Sequence, residues 1–432
     1  MKQITPAFVI LGGEHGAFGA ISLFGGTLQN SDATRAHSPA AAAGTIRNLA
    51  VRLATAPGAG TSRTFTIFKN GASTGITCTV SDAGTTAQDS TNSATVAVTD
   101  QLYLRTTKAG VPAVPTHFDF TWEFEATLAK TSMYGQGGGT LTAGDLELNG
   151  LLSGQYSWST TTANAVWNVC PIAGTVTRVD LVLDGAPGAG TSYILTIYKN
   201  GVKQDGAGGT TDTRVTVADA AVTGVSTFSL AVAAGDTLYL EADQVNAPTA
   251  RRVAWGVAFE ATTDGQFTVC GVGPSASTAV TQYRPPVDSL AGSWNTDENV
   301  REVRGPLTPV TLTALYVVLS AAPGAGNDRT VTVRKNTGNT NLTLTLSGAA
   351  ATTGNDSGNP RFTITDEWAI EHIPVSSPAA STIAWGLAAT LVGGKGAGGG
   401  KKGGGGGVAV LRPGGALCYN VGNPGVDVVN LA

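Results

Sequence analysis

The sequence predicts an all-β protein with three tandem antiparallel β-sandwich modules of about 130 residues, jelly-roll-like in order, and a glycine-rich C-terminal arm. Three observations carry this prediction. One set of anchor residues occurs three times, the segments between anchors alternate apolar and polar residues, and glycine accounts for 58 of the 432 residues. Charged residues make up only 13% of the chain, against about 25% in typical domains, which indicates a folded, turn-rich protein and not a disordered one.

Three anchors recur in the same order along the chain. The string Ala-Pro-Gly-Ala-Gly occurs three times, and its prolines lie 130 and 136 residues apart. The anchors are the turn residues Pro57, Gly58, Gly60, Pro187, Gly188, Gly190, Pro323, Gly324 and Gly326, the aspartates Asp100, Asp236 and Asp366, and the tryptophans Trp122, Trp255 and Trp385. A unit of this length can bury a core of its own. We therefore predict three modules in series, at residues 31–131, 132–265 and 266–392.

The segment after each Pro-Gly-Ala-Gly turn alternates with a period of two. Thr66, Thr196 and Thr332 stand between apolar neighbours and point the other way, which predicts an antiparallel strand with one buried face. The apolar positions of these strands and the anchor tryptophans form the predicted module cores, namely Phe65, Ile67, Trp122, Leu195, Ile197, Trp255, Val331, Val333 and Trp385.

The strand that follows each turn is expected to end in a hairpin. Asn70-Gly71 and Asn200-Gly201 are typical of the two-residue type I′ turn. The third copy has Asn336-Thr337-Gly338 at this place, so we expect its hairpin to be longer or bulged.

Further short strands complete each module. One precedes each Pro-Gly-Ala-Gly turn, one begins after each anchor aspartate, and one contains the anchor tryptophan. No segment has helical spacing with caps. The paired cysteines of an antibody-type domain are missing, and a jelly roll is preferred over an immunoglobulin-like order.

Two segments lie outside the repeat. Residues 1–30 are glycine-rich and apolar, and they supply either the first strands of module 1 or an arm. Residues 393–407 contain eleven glycines and predict a flexible linker with an r.m.s. span of about 20 Å. Residues 408–432 are predicted to dock on a neighbouring subunit by adding a strand to a sheet edge, through Val408, Val410, Leu411, Val426, Val428 and Leu431.

The residues that usually carry chemistry are few and scattered. Cys78, Cys170, Cys270 and Cys418 are at least 92 residues apart and predict small buried side chains in a reducing cytoplasm. The four histidines form no metal-binding or catalytic spacing and are expected at the surface or in turns. The anchor aspartates are expected to bind turn amides, with a calcium site as the less favoured alternative. We predict no catalytic residue, metal or cofactor.

Charge and hydropathy exclude two classes of partner. The net charge is −4, and no basic stripe runs along the chain, which argues against a nucleic-acid-binding protein. No apolar run approaches the roughly 18 residues of a membrane span.

The anchor tryptophans fit core packing better than a sugar-binding platform. Five other aromatic residues are expected to be exposed near module junctions, where they contact a ligand, another module or another subunit: Tyr156, Trp158, Trp167, Tyr283 and Trp294.

The repeated string Ala-Pro-Gly-Ala-Gly-Thr-Ser, followed by an alternating strand and Lys-Asn-Gly, resembles modules of tailed-bacteriophage virion proteins. The resemblance covers residues 44–130, 172–262 and 305–392. The third copy departs from the pattern, with Asn327 and Asp328 in place of Thr-Ser, so its partner is expected to differ most.

The resemblance implies a non-enzymatic structural protein in the virion, a capsid decoration or a fibre component. Its partners would be other virion proteins and copies of itself, held by many weak contacts. The alternative from a different class is an array of modules, on a phage tail or secreted, that binds a cell-surface glycan or receptor.

Overall fold

The computed structural model describes residues 2–10, 18–24, 29–30, 36–115, 117–141, 147–152, 158–159, 166–287, 294–392, 409–411 and 417–419. The chain is 65% strand and 2% helix, which confirms the predicted all-β fold. Met1–Gly394 form one compact unit, and Lys395–Ala432 form another. No helix among the described residues is long and apolar enough to cross a membrane.

The strands of the first unit fall into three successive sets, which we call modules 1, 2 and 3. Module 1 contains β1 (Lys2–Ile10), β2 (Phe18–Ile21), β3 (Gln29–Asn30), β4 (Ser38–Pro39), β5 (Gly44–Leu53), β6 (Gly58–Lys69), β7 (Ala72–Asp82), β8 (Thr86–Val96), β9 (Gln101–Ala109) and β10 (His117–Ala126). Module 2 contains β11 (Thr131–Leu141), β12 (Glu147–Asn149), β13 (Asn168–Val169), β14 (Gly174–Leu183), β15 (Gly188–Lys199), β16 (Val202–Lys203), β17 (Val215–Asp219), β18 (Thr223–Val232), β19 (Thr237–Val245) and β20 (Arg251–Ala261).

Module 3 contains β21 (Gln266–Ala276), β22 (Gln282–Arg284), β23 (Val303–Arg304), β24 (Val310–Leu319), β25 (Gly324–Lys335), β26 (Gly338–Gly348), β27 (Thr353–Ser357), β28 (Arg361–Phe362), β29 (Glu367–Val375) and β30 (Ser381–Leu391). Short 3₁₀ turns occur at Ala207–Gly209 and Glu298–Val300. In the second unit, β31 (Ala409–Leu411) pairs with β32 (Leu417–Tyr419).

Each module has two antiparallel sheets with one strand order. In module 1 the sheets run β1-β10-β5-β8 and β3-β2-β9-β6-β7; in module 2, β11-β20-β14-β18 and β12-β19-β15-β16; in module 3, β21-β30-β24-β27 and β22-β29-β25-β26. Counting the eight main strands of a module along the chain, the order is 1-8-3-6 in one sheet and 2-7-4-5 in the other. This is the order of a jelly roll and not of an immunoglobulin domain.

The two sheets of each module share a hydrophobic core. The nine residues assigned to the cores from the sequence are each at most 1% exposed. Thr196 and Thr332 lie on the opposite face of their strands, yet they are buried as well. Their neighbours on this face, Ile194 and Thr330, are only half-buried, so the second face of these strands is covered only locally.

Each anchor tryptophan is fixed in its core by one hydrogen bond and one aromatic neighbour. The indole Nε1 donates to a loop carbonyl oxygen at 2.8 Å (Trp122 to Leu23), 3.1 Å (Trp255 to Leu151) and 2.8 Å (Trp385 to Pro286). The aromatic neighbours are Phe24, Trp158 and Trp294, with ring centroids 5.6, 5.4 and 6.0 Å away.

The expected exposure of Trp158 and Trp294 was therefore wrong, because both pack on the anchor tryptophans and are at most 8% exposed. Trp167 and Tyr283 are half-buried, and Tyr156 lies outside the described residues.

The hairpin after the turn has the same two-residue length in all three modules. Lys69 pairs with Ala72, Lys199 with Val202 and Lys335 with Gly338. The predicted extra length of the third hairpin is wrong, because Thr337 takes the left-handed conformation (φ 61°) that Gly71 and Gly201 take in the other copies. The predicted bulge does occur beside the hairpin of module 3, and module 1 has one at the equivalent place.

The anchor aspartates bind turn amides, as predicted. The Asp100 carboxylate accepts from the Asn70 side chain (2.6 Å) and from the Ala97 N–H (2.8 Å), and the Asn70 Oδ1 accepts from the Gln101 N–H. Asn200 with Asp236, and Asn336 with Asp366, repeat this arrangement. The pair ties the hairpin of one sheet to the turn that enters the neighbouring strand.

The Pro-Gly-Ala-Gly turns begin with a buried proline and then project into solvent. All six glycines have φ between 71° and 118°, a region that favours glycine. The Gly60 and Gly190 N–H groups donate to Asp82 and Asp219 at 2.7 Å. The alanine of each turn is exposed, so one small apolar tip occurs three times.

The N-terminal segment supplies strands and not an arm, because β1 pairs with β10 and β2 pairs with β9. The docking predicted for Val408, Val426, Val428 and Leu431 lies outside the described residues. Val410 and Leu411 lie in β31, and their side chains are not described.

Candidate functional site

The three modules contact one another in a closed ring. The short strand β4 of module 1 lies against β11, β14 and β20 of module 2. The equivalent strand β13 of module 2 lies against β21, β24 and β30 of module 3, and β23 of module 3 lies against β1 and β10 of module 1. Each module therefore uses one surface to contact the next module and another to contact the previous one, and three such head-to-tail steps close the ring.

Two of the three contacts depend on a glycine beside the anchor tryptophan. A Cβ on Gly256 would lie 1.9 Å from the Pro39 carbonyl oxygen, and one on Gly386 would lie 2.2 Å from the Val169 carbonyl oxygen. Real Cβ atoms do not approach so closely, so any other residue at these positions would push the two backbones apart. The residue at the equivalent register position of module 1 is Thr121.

The first strands of modules 1 and 2 also contact the next module at equivalent places. Gln3 Oε1 of module 1 accepts from the Met133 N–H of module 2 at 2.7 Å. One step around the ring, the Tyr134 hydroxyl of module 2 accepts from the Thr268 N–H of module 3 at 2.8 Å. The two donors hold equivalent places, because Met133 lies opposite Ala258 and Thr268 lies opposite Ala388. The first two contacts thus use the same backbone amide of the next module, with a different side chain as acceptor.

The contact of module 2 with module 3 is mainly apolar. Val169 packs with Val272, Val318 and Ala384 in one buried cluster, and Trp167 and Tyr316 pack against it. Such a contact is stabilised by apolar burial and has no directional preference of its own.

The contact of module 3 with module 1, which we call the closing contact, is charged instead. The Arg52 Nε donates to Asp119 Oδ2 at 2.8 Å within module 1, and the same guanidinium reaches the Glu367 carboxylate and the Glu302 carbonyl oxygen of module 3. The other Asp119 oxygen accepts from the Arg304 N–H at 2.8 Å. Arg52 and Asp119 together therefore join the two modules.

A second group of polar residues extends the closing contact. Glu123 is fully buried, and its carboxylate accepts from Arg47 at 2.6 Å, from Asn48 at 2.9 Å and from the Thr308 hydroxyl of module 3. Burial disfavours the ionised carboxylate, but the Thr308 and Arg47 hydrogen bonds outweigh burial and lower the pKa of Glu123. A buried carboxylate with these donors stays ionised, and one of the donors, Thr308, comes from module 3.

Two of the histidines are buried and not exposed, contrary to the expectation. His117 lies beside the closing contact, where burial and the charges of Arg52 and Arg301 lower its pKa to about 4. His372 is fully buried in module 3, and burial and Arg329 lower its pKa to about 3. Both rings are therefore neutral near neutral pH. His37 is half-buried, and His15 lies outside the described residues.

The other residues singled out from the sequence do not converge on one site. Cys78, Cys170 and Cys270 are buried free thiols, as predicted, and the Cys418 side chain is not described. Burial raises the pKa of Cys78 and Cys170 to about 12. Within the described ranges, no group of three or more His, Cys, Asp or Glu side chains is arranged to hold a metal ion.

The ring of modules was not predicted from the sequence, although the tryptophan strands contain a signal for it. The outward positions of the tryptophan strand are small in module 2 (Ala254, Gly256, Ala258) and in module 3 (Ala384, Gly386, Ala388), whereas module 1 has Asp119, Thr121 and Glu123 at these places. Small residues on the outward face of a strand indicate close approach of another backbone. Acidic residues at the equivalent places indicate a different neighbour.

The fold and its contacts define a class of protein: a chain of three jelly-roll modules that close head to tail, with one charged and two mainly uncharged contacts. No family model matches the chain, and a search of curated proteins finds no similar sequence.

Proposed function

We propose that this protein is a non-enzymatic structural component of a tailed-phage virion, made in the host cytoplasm, that decorates the capsid or forms part of a fibre. It acts through contacts with other virion proteins and with copies of itself. The observation that carries the proposal is the closed ring of three equivalent modules within one chain. Such a ring resembles a trimer fused into one polypeptide, and symmetric assemblies commonly offer threefold positions.

The repeated turns support a role in multivalent contact. Ala59, Ala189 and Ala325 are exposed at the tips of the three Pro-Gly-Ala-Gly turns. Three identical small tips on one rigid unit bind a repetitive partner with an avidity that exceeds the affinity of each tip.

Electron cryo-microscopy of native particles, with the copy number measured by quantitative mass spectrometry, tests the proposal. We expect copies spread over the capsid lattice or along a fibre. Absence of the protein from purified particles would refute the virion role. A few copies at the tail tip would refute the decoration role and favour host recognition.

Charged substitutions at the tips test the contact surface. We expect Ala59→Glu, Ala189→Glu and Ala325→Glu each to lower particle occupancy, and the triple variant to lower it by about the product of the single effects. Glu260→Gln, at an exposed position of β20, is the control. Full occupancy of the triple variant would exclude the tips from the contact.

The C-terminal segment is proposed to strengthen assembly. A chain that ends at Val392 keeps every strand of the three modules, so it is expected to fold and to attach to particles more weakly. Unchanged attachment would remove the proposed docking role of residues 393–432.

One observation favours glycan binding as the second candidate. On module 2, the stacked rings of Tyr198 and Tyr239 (4.7 Å) adjoin Lys203, whose ammonium bridges Glu241 and Asp243. Aromatic faces beside charged groups suit sugar rings. A glycan array probed with the intact protein and with Tyr198→Ala tests it: binding that the variant loses supports this function, and no binding by the intact protein refutes it.

A further inference from the structure

Arg329 of β25 and His372 of β29 are hydrogen-bonded to each other in the core of module 3. Both side chains are fully buried, and the Arg329 Nη1 lies 2.7 Å from the His372 Nε2. A guanidinium can only donate, so the His372 Nε2 is the acceptor, and the neutral ring carries its proton on Nδ1. Protonation of Nε2 removes this acceptor, so the hydrogen bond exists only while His372 is uncharged.

The guanidinium of Arg329 has only neutral partners among the described residues. Its other hydrogen bonds go to the Ser277 carbonyl oxygen at 3.1 Å and to the Ala379 carbonyl oxygen at 2.7 Å. Trp294 packs against the His372 ring, with ring centroids 5.5 Å apart. A charge on His372 would therefore lie beside a buried cation that is not paired with a described carboxylate, and such a charge is strongly disfavoured in a protein interior.

The other charged groups near His372 do not favour a positive ring either. Arg284 of β22 is buried on the same face of the sheet, with its guanidinium 6.0 Å from the Trp294 ring centroid. Glu371 points to the opposite face, where its carboxylate lies 3.7 Å from Arg334. In the facing sheet, β21, β24 and β30 contain no acidic or basic residue. The described charged groups that face His372 are therefore both cations.

Module 2 offers a reference without these charges. In the strand register, Ala242 takes the place of His372, and Tyr193 takes the place of Arg329. The sequence of module 2 contains no histidine. A charge at this place of the core can therefore arise in module 3 but not in module 2.

We propose that module 3 opens in mild acid: protonation of His372 breaks its hydrogen bond with Arg329 and places another cation in the core, so that module 3 opens while module 2 stays closed. The opened form exposes the ring to water, where its charge is solvated and no longer lies beside Arg329. This behaviour concerns the fold of module 3 and does not depend on the proposed virion role.

The sign and size of the effect follow from linkage. Burial and the charge of Arg329 lower the pKa of His372 from 6.5 to about 3 in the closed form. A lowered pKa contributes stability above the unfolded value of 6.5, and this stability is lost as pH falls from 6.5 towards 3. Between about pH 7.5 and about pH 5, the opening equilibrium of module 3 is expected to rise about 30-fold.

Hydrogen–deuterium exchange of the full chain measures this opening. After correction for intrinsic exchange rates, we expect peptides that cover Gly324–Lys335 and Glu367–Val375 to lose about 30-fold protection between these two pH values. Peptides from the equivalent strands of module 2, Gly188–Lys199 and Thr237–Val245, are expected to change little.

Two variants separate His372 from the other buried histidine. His372→Gln offers Arg329 a neutral acceptor and cannot become charged, so the pH effect in module 3 should disappear. His117→Gln removes the histidine beside the closing contact, whose pKa is also lowered, and should retain the effect. A pH effect in module 3 that survives in His372→Gln would overturn the proposal. Equal protection at both pH values in the unmodified chain, or an equal loss in modules 2 and 3, would also overturn it.

Nuclear magnetic resonance of the unmodified chain keeps the proposal testable if His372→Gln does not fold. We expect the ring carbon shifts of His372 to stay constant between about pH 7.5 and about pH 5, because the ring remains neutral in the closed form. Titration of this ring near pH 6.5 in the folded chain would show that module 3 stays closed around a charged His372, contrary to the proposal.

Discussion

Gly256 of module 2 lies so close to Pro39 of module 1 that a Cβ on the glycine would be 1.9 Å from the proline carbonyl oxygen. A Gly256→Ala substitution must therefore push β4 away from β20. We expect it to destabilise the protein by about 1–3 kcal/mol, the typical range for forced overpacking, measured by urea unfolding.

Gly190→Ala serves as the matched control for Gly256→Ala. Gly190 has φ 73° and no atom within 4 Å of a Cβ, so its substitution adds backbone strain of about 1 kcal/mol without a clash. Equal destabilisation by the two variants would show that the contact with Pro39 is not close.

The sequence revealed the interior of each module but not the neighbours of the module. Period-two alternation locates Phe65 and Trp122 in the core because one sheet face packs on the other within about 130 residues. The outward face of the tryptophan strand has small residues in two copies but carries Asp119 and Glu123 in the first. Only the closed ring explains this difference, because the module 3 partners of these two carboxylates lie 185 residues away in the chain.

Thr337 occupies a turn position where modules 1 and 2 have glycine. Its φ of 61° costs a residue with a β-branched side chain about 1–2 kcal/mol, which its hydroxyl contact with the Asn336 carbonyl oxygen (2.7 Å) offsets in part. We expect Thr337→Gly to stabilise the protein by about 0.5–1 kcal/mol in thermal unfolding, after the entropy of glycine is included.

The converse substitution tests the same argument. Gly201→Thr, at φ 77° in module 2, should destabilise by a similar amount. A destabilising Thr337→Gly would mean that the threonine contributes more through its contacts than its backbone costs.

Asp89 makes module 1 sensitive to acid. Burial disfavours its ionised form, but hydrogen bonds from Asn92, Thr77 and Thr91 outweigh burial and lower the pKa of Asp89 to about 2. A lowered pKa in the folded state contributes stability above the unfolded value of 3.8, and this stability is lost as pH falls towards 2.

We expect Asp89→Asn to be less stable than the unmodified chain at neutral pH, by about 1–3 kcal/mol, and this difference to shrink between about pH 4 and pH 2. Urea unfolding of both proteins across this range measures it. A difference that stays constant with pH would show that Asp89 does not titrate there.

Tyr134 tests whether polar contacts between modules 2 and 3 matter beside the apolar cluster. Its hydroxyl is the acceptor for the buried Thr268 N–H at 2.8 Å, so Tyr134→Phe leaves that donor without this partner. The expected cost is about 1–3 kcal/mol, with faster amide exchange at Thr268. Tyr193→Phe is the control, since the Tyr193 hydroxyl donates to the Thr249 carbonyl oxygen within module 2. Faster exchange at Thr268 in both variants would indicate a general loss of stability, whereas a change confined to Tyr134→Phe would establish the hydroxyl as a specific link between the two modules.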